Sequence, residues 1–489
     1  MKGKYQQFFK QRPCCSGSGA LPVRGIFFVL LAIVCSVGFG GCALQRADKH
    51  SALSFVPELP ERFTLSNGTK VLYLQDQVNP FISGSLLFRG GSLDDPIDQI
   101  GLSAVTGSAI REGGVAGLDP KVFDQLLDDI GASIEVSFGD ESGSASFSAL
   151  SEDTDRVLKL YTQLLSNPGF DAARFELVRK IAIDRIKLRN ESPGTIAGIA
   201  FSEIYYGKDS IYGRSASQVS LSSITLDAVR ANAKKLLNPQ GAILALSAPD
   251  SAAEIRAKLE ATLGQWKVTA APIAAERPAA IPVGAPGIYL VRKDFPQAVI
   301  DIGHSGPKRL MPDMFARNIF NNYFGLSAFG SILFSEIRDK RGLAYDVSGG
   351  FFPATESGIF SISLGTRNEQ VIPALSAIYD ISRSTRETLP PQDNIEKVKV
   401  GDLRSFVFRF DDVSGTVRRQ ALLDFYGFPQ GHDRNYIRKT KLVTPGDVQE
   451  IARKYLHPEK FVTVVVGNLR PEDLSRELGS QYPIYEVDF

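Results

Sequence analysis

The sequence predicts an α+β fold that is built from two homologous halves. A helix-like segment that runs into an apolar strand occurs twice along the chain. Between these segments, alternating strands lead into helices, so that hairpins occur together with crossovers; this pattern favours α+β over a doubly wound parallel sheet. A hydrophobic content of 43% with 22% charged residues in 489 residues is typical of a globular chain of several domains.

The first 41 residues have the layout of a secretory signal peptide. Basic residues precede GIFFVLLAIVCSVGFGGC, an uncharged apolar run that ends in small residues. Residues 25–41 are at the lower limit of length for a membrane-spanning helix, so a retained membrane anchor is the alternative. We expect residues 1–41 to be removed as a signal peptide.

The end of this run, FGGC, is similar to the cleavage site of a bacterial lipoprotein, although Phe39 departs from the commoner leucine. Cys42 is therefore the predicted lipid-attachment site, with a plain, unlipidated signal as a further alternative. Residues 42–59 are predicted to be a tether. All four cysteines lie at or before Cys42, so core packing rather than disulfides must stabilise the exported part.

Residues 60–266 and 288–489 are predicted to be the two halves. TLDAVRANAKKLLNP begins at Thr225, and its echo TPGDVQEIARKYLHP begins 219 residues later at Thr444; each runs into an apolar strand, GAILALS or FVTVVVG. A second echo joins DDIGASIEVS (128–137) to DKRGLAYDVS (339–348). Between the halves, residues 267–287 are rich in Ala and Pro without an apolar period, which indicates a linker.

Several classes of chemistry are absent from the sequence. The net charge of +1 shows no excess of basic residues of the kind that would indicate nucleic-acid binding. No two of the four histidines are three to five residues apart, and the sequence has neither a G-x-S-x-G nor a G-x-x-x-x-G-K-[ST] motif. No cysteine nucleophile follows Cys42. His304, in the strand-like VIDIGHSG, is interpreted as a structural histidine.

Several stretches together resemble the pitrilysin/insulinase family of inverted zincins. They are TLSNGTKVLYLQD, LLFRGGSLDDPIDQIGLSAV and SILFSEIRDKRGLAYDVSGG, and the resemblance covers nearly all of residues 60–470. The two-chain branch that includes mitochondrial processing peptidase is the most similar. The resemblance implies that each half consists of two similar α/β sandwich-like units, and that two halves close like a clamshell around a peptide.

The resemblance also implies that the zinc site has been lost. Catalytic chains carry H-x-x-E-H on the helix after the GGS turn, with two His ligands and a Glu general base. In GLSAVTGS the ligand positions correspond to Ala104 and Ser108 and the base position to Gly107, while the third ligand corresponds to Arg185, next to Asp184. A guanidinium cannot ligate zinc. We therefore expect no metal and no catalytic residue in this chain.

Arg338 and Tyr345 match the one part of the family's site that remains. In active relatives an Arg and a Tyr seven residues apart in the second half bind the substrate backbone and the developing oxyanion. The pair lies within LFSEIRDKRGLAY, the most specific stretch of the resemblance. Without the resemblance, the pair would be interpreted as a surface arginine and a strand-capping tyrosine.

These observations predict the non-catalytic subunit of a heterodimeric zinc metallopeptidase. A sister chain with H-x-x-E-H would hold the zinc, and an extended peptide would be bound by strand addition to a sheet edge. The lipid anchor would place the chain on the periplasmic side of a bacterial envelope, with the outer membrane favoured over the inner, and no nucleic acid is expected. The alternatives are a structural or peptide-binding lipoprotein without a role in proteolysis, and an enzyme with unrelated chemistry in the same fold.

Overall fold

The computed structural model describes residues 55–489 apart from 269, 270, 272, 274–276, 328, 329 and 357. These residues belong to one compact unit, Leu53–Phe489. The predicted signal peptide, Cys42 and most of the tether lie outside the described residues. Among the helices of the described part, none is both long and apolar enough to cross a membrane.

The strands of the described part form two six-stranded sheets. The first sheet contains β1 (Glu61–Thr64), β2 (Lys70–Gln75), β3 (Phe81–Arg89), β4 (Ser133–Phe138), β5 (Ser142–Leu150) and β6 (Ile243–Ala248). The second contains β7 (Gly287–Arg292), β8 (Gln297–Gly306), β9 (Asp346–Phe352), β10 (Gly358–Arg367), β11 (Val462–Gly467) and β12 (Ile484–Glu486).

Fifteen α-helices cover these sheets in the same described part of the chain. Those before the second sheet are α1 (Leu102–Gly113), α2 (Pro120–Asp128), α3 (Thr154–Ser166), α4 (Ala172–Arg189), α5 (Pro193–Tyr206), α6 (Gln218–Ser223), α7 (Leu226–Leu236) and α8 (Ala252–Ala261). The later ones are α9 (Met314–Asn321), α10 (Val371–Glu387), α11 (Gln392–Val407), α12 (Val413–Phe425), α13 (His432–Lys441), α14 (Pro445–Tyr455) and α15 (Pro471–Leu478). Two π-helical turns follow α9, at Asn322–Leu326 and Phe334–Asp339.

The two sheets have the same topology over five strands, which confirms the predicted duplication and α+β class. Their orders are β1-β2-β6-β3-β5-β4 and β12-β7-β11-β8-β10-β9. In each, one central pair is parallel (β2 with β6, β7 with β11) and the following strands are antiparallel. The sheets differ at one edge, because β1 is antiparallel to β2 whereas β12 is parallel to β7.

The expectation of two units in each half is wrong. Each half contains a single six-stranded mixed sheet, so the described chain comprises two such units in total. The physical reason is that the echoed segments are not separate units. The repeated helix–strand segment supplies a central strand of each sheet, β6 or β11. The repeated segment that contains Gly131 or Gly342 leads into an edge strand of the same sheet, β4 or β9.

The central strands β6 and β11 are buried along their whole length. Strands that are covered on both faces read as continuous apolar runs, which explains GAILALS and FVTVVVG. One face of each sheet packs against helices of its own half. The other face packs against a helix from the opposite half.

This exchange of helices is reciprocal. From the first half, α5 places Ile196, Ala200 and Phe201 on a cluster with Val291 of β7 and three valines of β11. From the second half, α12 places Val417, Ala421 and Phe425 on a cluster with β2, β3 and β6. Each sheet therefore depends on the other half to cover one of its faces, which accounts for the single compact unit.

Candidate functional site

The helix α1 carries the positions that correspond to the family's first two metal ligands. Its N-terminus is fixed by Asp95, whose carboxylate accepts from the backbone N–H groups of Gly101 and Ser103 at 2.9 and 3.0 Å. Burial raises the pKa of Asp95 above its ordinary value, while these hydrogen bonds oppose the shift. Gly101 has a φ of 103°, which a residue with a side chain rarely adopts. The orientation of α1 is thus set by the turn before it.

The residues at the metal-ligand positions do not fit a zinc ion. Ala104 and Ser108 lie on one exposed face of α1, and Arg185 is exposed on the neighbouring α4. Asp184 forms an ion pair with Lys187 at 3.0 Å. A methyl group and a guanidinium cannot bind zinc, and a lone hydroxyl or carboxylate does not make a site. Within the described ranges, no three His, Cys, Asp or Glu side chains cluster as a metal site.

The general-base position is also closed sterically. Gly107 is buried on the side of α1 that faces β4. An added Cβ atom would lie 3.1 Å from the carbonyl oxygen of Val136 and 3.2 Å from the Cα atom of Ser137. A glutamate at this position would therefore require β4 or α1 to move.

The structure brings Arg338 and Tyr345 together. Arg338 lies in the π-helical turn Phe334–Asp339, and Tyr345 directly precedes β9. The guanidinium carbon of Arg338 lies 5.1 Å from the centre of the Tyr345 ring and 4.7 Å from that of Phe334. Such cation–π contacts orient the guanidinium without neutralising it.

Tyr345 points outward, and Arg338 beside it is half-buried. The Tyr345 side chain is 80% exposed, which is unusual for an aromatic residue. In the part of the chain that the structure describes, Arg338 has no carboxylate partner and the Tyr345 hydroxyl has no hydrogen bond. Both polar groups are thus available to a molecule outside this chain.

The hydrogen-bonded turn that ends in Gly342 is one residue longer than its counterpart in the first half. In the first half, the helix end is closed by the N–H of Ala132 donating to the carbonyl of Leu127, five residues earlier. In the second half, the N–H of Leu343 donates to the carbonyl of Ile337, six residues earlier. The glycines in these turns are equivalent, since Gly131 and Gly342 have φ angles of 56° and 61°. π-helical turns occur frequently at functional sites, and Arg338 lies in the turn Phe334–Asp339.

The edge of the first sheet beside α1 is partly open. Among the described residues, β4 pairs only with β5, so its other edge faces α1. The Nε of Arg111 donates to the carbonyl of Ile134 at 2.8 Å, and its Nη1 is held by Asp124 at 2.8 Å. The next carbonyl on this edge, that of Val136, lies against Gly107 of α1, so a peptide that adds to β4 must begin beyond Val136 or displace Arg111 and α1.

Two cavities near the contact of the halves were not predicted from the sequence. One, of about 590 Å³, is lined by Tyr206 and Tyr212 from the first half and by Phe352 and Tyr426 from the second. Arg309 lines both this cavity and a neighbouring one that contains several arginines. No local sequence pattern joins these residues, because they meet only where the halves pack.

Comparisons with known proteins agree with this architecture. Residues 223–400 match a family described as the peptidase M16 inactive domain. An uncharacterized zinc protease of Streptomyces coelicolor is 25% identical over 335 residues, which are 67% of this chain and 72% of that protein.

Solved structures share the fold. The peptidase M16 inactive domain from Pseudomonas fluorescens is 24% identical and has a TM-score of 0.76, with 84% of this chain and 98% of that chain covered. The periplasmic protease PqqL from Escherichia coli is 17% identical with a TM-score of 0.73; the match covers 85% of this chain but 46% of PqqL. By its fold, its duplicated sheets and the match to the inactive domain, this chain resembles the pitrilysin/insulinase (M16) family and is similar to its non-catalytic members, which are related to zinc metallopeptidases.

Proposed function

We propose that this chain is the non-catalytic subunit of a heterodimeric zinc metallopeptidase of the bacterial envelope. It closes the peptide chamber and contributes Arg338 and Tyr345 to substrate binding, while a sister chain with H-x-x-E-H holds the zinc. The observation that carries the proposal is the pair itself: the half-buried guanidinium of Arg338 lies against the exposed Tyr345 ring, and neither polar group has a carboxylate or hydrogen-bond partner among the described residues of the chain.

The physical chemistry of the pair suits an oxyanion. Phe334 and Tyr345 orient the Arg338 guanidinium, which remains a fixed positive charge. The Tyr345 hydroxyl is a directed donor whose proton is not committed within the described structure. Such donors act on a transition state when they are already placed where negative charge develops.

A second chain is proposed for the other side of the chamber. The match with PqqL covers 46% of that protease, so PqqL contains a region outside the part that resembles this chain. The described residues provide two sheets, and the partner would supply the surface that faces them.

The edge of β4 is the proposed site for the extended peptide. Among the described residues, β4 has no strand partner on this edge, and an added strand would gain affinity from main-chain hydrogen bonds. Such a strand would have to displace Arg111 from the Ile134 carbonyl and α1 from the Val136 carbonyl, or pair beyond Val136. The envelope location rests on the apolar run and on Cys42, since a lipidated N-terminus would tether the domain to the periplasmic face of a membrane.

The test is reconstitution of this chain with a purified H-x-x-E-H partner, followed by measurement of kcat and KM on an extended peptide. Neither zinc nor peptidase activity is expected in the isolated chain. In the assembled pair, Tyr345→Phe keeps the ring but removes one donor, and kcat should fall roughly 10²–10³-fold, as for the loss of one oxyanion donor. Tyr485→Phe is the matched control, because Tyr485 is also exposed but lies on β12.

Assembly is checked by size-exclusion chromatography, and the zinc content of the partner should not change. Full activity in an assembled Tyr345→Phe pair would exclude the catalytic contribution and favour the structural or peptide-binding lipoprotein. Stoichiometric zinc with chelator-sensitive activity in the isolated chain would contradict the proposal altogether.

A further inference from the structure

A cavity of about 640 Å³ in the second half is lined by five arginines. They come from the segment after β8, from α9, from the turn after α11 and from α12: Arg309, Arg317, Arg409, Arg418 and Arg419. No lysine lines this cavity. Arginine, with its planar fork of donors, binds carboxylates more specifically than lysine does.

Three of the five guanidiniums have a carboxylate partner in the chain. The pairs are Arg419 with Asp433 at 2.7 Å, Arg309 with Glu141 at 3.4 Å, and Arg409 with Asp402 at 3.8 Å. Asp411 and Asp412 also line the cavity but are exposed, and Asp412 accepts from the N–H of Gly415 at the start of α12. The negative charges of the lining itself therefore lie at its solvent-exposed rim.

Arg317 is a buried charge without a counter-ion among the described residues. The residue is 6% exposed, and its Nη2 donates only to the neutral Oδ1 of Asn318 at 3.0 Å. Its Nε and Nη1 atoms are buried and have no hydrogen-bond partner. Burial lowers the pKa of Arg317 to about 10, so that the group is still charged at neutral pH. An unpaired buried charge is costly, and a bound anion would offset that cost.

A second arginine of the same cavity has an unused donor. Nη1 of Arg309 is buried without a partner, and the guanidinium stacks 3.6 Å above the ring of Tyr426. Arg418 is exposed and has no carboxylate within 4.0 Å in the described part. Donors from three separate elements thus surround one cavity.

We propose that this cavity binds the carboxylate group of a peptide, with Arg317 as the buried anchor and with Arg309 and Arg418 beside it. The apolar side chains of Leu422 and Phe428 in the same wall suit the residues that flank such a carboxylate. A membrane headgroup fits less well, because surfaces that bind anionic lipid are exposed clusters of basic residues, whereas Arg317 is buried. The carboxylate belongs either to an acidic side chain or to a peptide C-terminus.

This site needs neither the zinc-bearing partner nor Arg338 and Tyr345. Binding can therefore be measured on the full isolated chain, and its failure would leave the proposed subunit function untouched. Titration calorimetry with three peptides distinguishes the sources: acetyl-Ala-Leu-Glu-Leu-Ala-amide, its Gln counterpart, and the Gln peptide with a free C-terminus. We expect one of the carboxylate-bearing peptides to bind and the blocked Gln peptide not to bind.

Arg317→Met should weaken binding at least about tenfold, the usual scale for a lost hydrogen bond to a charged group. Because replacing a buried charge by an apolar side chain of similar volume is often neutral or stabilising, the thermal midpoint should not fall. Arg418→Met removes an exposed donor that folding does not need, and should weaken binding severalfold. Arg404→Met, exposed on α11 and outside the cavity wall, is the control and should bind as wild type does.

Equal binding of the blocked Gln peptide, absence of binding by all three peptides, or unchanged binding by Arg317→Met and Arg418→Met would overturn the proposal. Tighter binding of inorganic phosphate, or of vesicles that contain phosphatidylglycerol, would also overturn it and assign the cavity to phosphate recognition.

Discussion

At the scale of the residue, burial decides the role of His304. The side chain is 1% exposed and stacks on Phe360 and Phe461, with ring centres 5.0 and 5.6 Å away. Its Nε2 accepts from the backbone N–H of His457 at 3.0 Å, so the ring proton lies on Nδ1, which donates to the carbonyl of Ser305 at 2.7 Å. The neutral ring is fully paired, in agreement with a structural histidine.

This arrangement predicts a loss of stability in acid. Burial lowers the pKa of His304 from 6.5 to about 4, so the unfolded chain binds the proton at higher pH than the folded chain does. The stabilising contribution is complete above pH 6.5 and is lost as the pH falls towards 4, by about 1.4 kcal/mol per pH unit. Denaturant unfolding at pH 7 and pH 4.5 should show a smaller pH dependence for His304→Gln than for wild type. Identical pH dependence of the two proteins would contradict this assignment.

At the scale of the element, the corresponding edge strands β4 and β9 each lie beside a helical segment that approaches them at a glycine. In the first half the approach is Gly107 of α1 to Val136 of β4. In the second half, the Asn321 side chain pairs with both backbone groups of Phe351 in β9, at 2.8 and 2.9 Å. Gly325, in the π-helical turn Asn322–Leu326, then packs against Gly349 of the same strand.

Gly325→Ala should destabilise the protein. A Cβ atom there would lie 2.6 Å from the carbonyl oxygen and 2.8 Å from the nitrogen of Gly349, distances that force the backbone apart. We expect a loss of roughly 1–3 kcal/mol in the free energy of unfolding, as for other overpacked sites. Gly401→Ala is the control of opposite sign: Gly401 lies inside α11 with open space around it, so alanine should add about 0.5–1 kcal/mol. Chemical denaturation of both variants measures the two effects, and equal stability of the Gly325→Ala and wild-type proteins would refute the close approach.

At the scale of the whole molecule, the exchanged helices make the halves one folding unit. The only tryptophan of the chain, Trp266, is 6% exposed and packs in the core of the first sheet. Phe425 belongs to the second half in sequence but packs on that same first sheet. Trp266 fluorescence therefore reports on a half that α12 stabilises from outside its own sequence.

Phe425→Ala should lower the stability of both halves together. Phe425 is 4% exposed and also lies under the Arg89 guanidinium, whose carbon is 4.7 Å from the ring centre. Loss of a buried phenylalanine costs about 3–5 kcal/mol, and we expect the fluorescence and circular-dichroism transitions to shift by the same amount. Leu422→Ala, on the exposed side of α12, should have a smaller effect. A shift in circular dichroism without a shift in Trp266 fluorescence would show that the halves unfold independently.

The sequence by itself determined the features that depend on residue type and local spacing. Ala104, Ser108 and Arg185 cannot hold zinc wherever the chain places them, because ligation requires particular atoms. The duplication of the fold was also predicted from the sequence, because segments with the same pattern of apolar residues form the same helices and strands in each half. Arg338 and Tyr345 were predicted as a pair because the resemblance fixes their spacing, and the structure places them in contact.

Only the tertiary structure decided the features that depend on contacts between distant segments. It assigned one sheet to each half, closed the Gly107 position against β4, and exchanged α5 and α12 between the sheets. The arginine cavity is the clearest case. From the sequence, each arginine of this cavity would be interpreted as an ordinary solvated charge. Arg317 is an unpaired buried cation only because α9 packs inside the folded half. Burial and pairing are properties of three-dimensional packing, and no local pattern of residues encodes them.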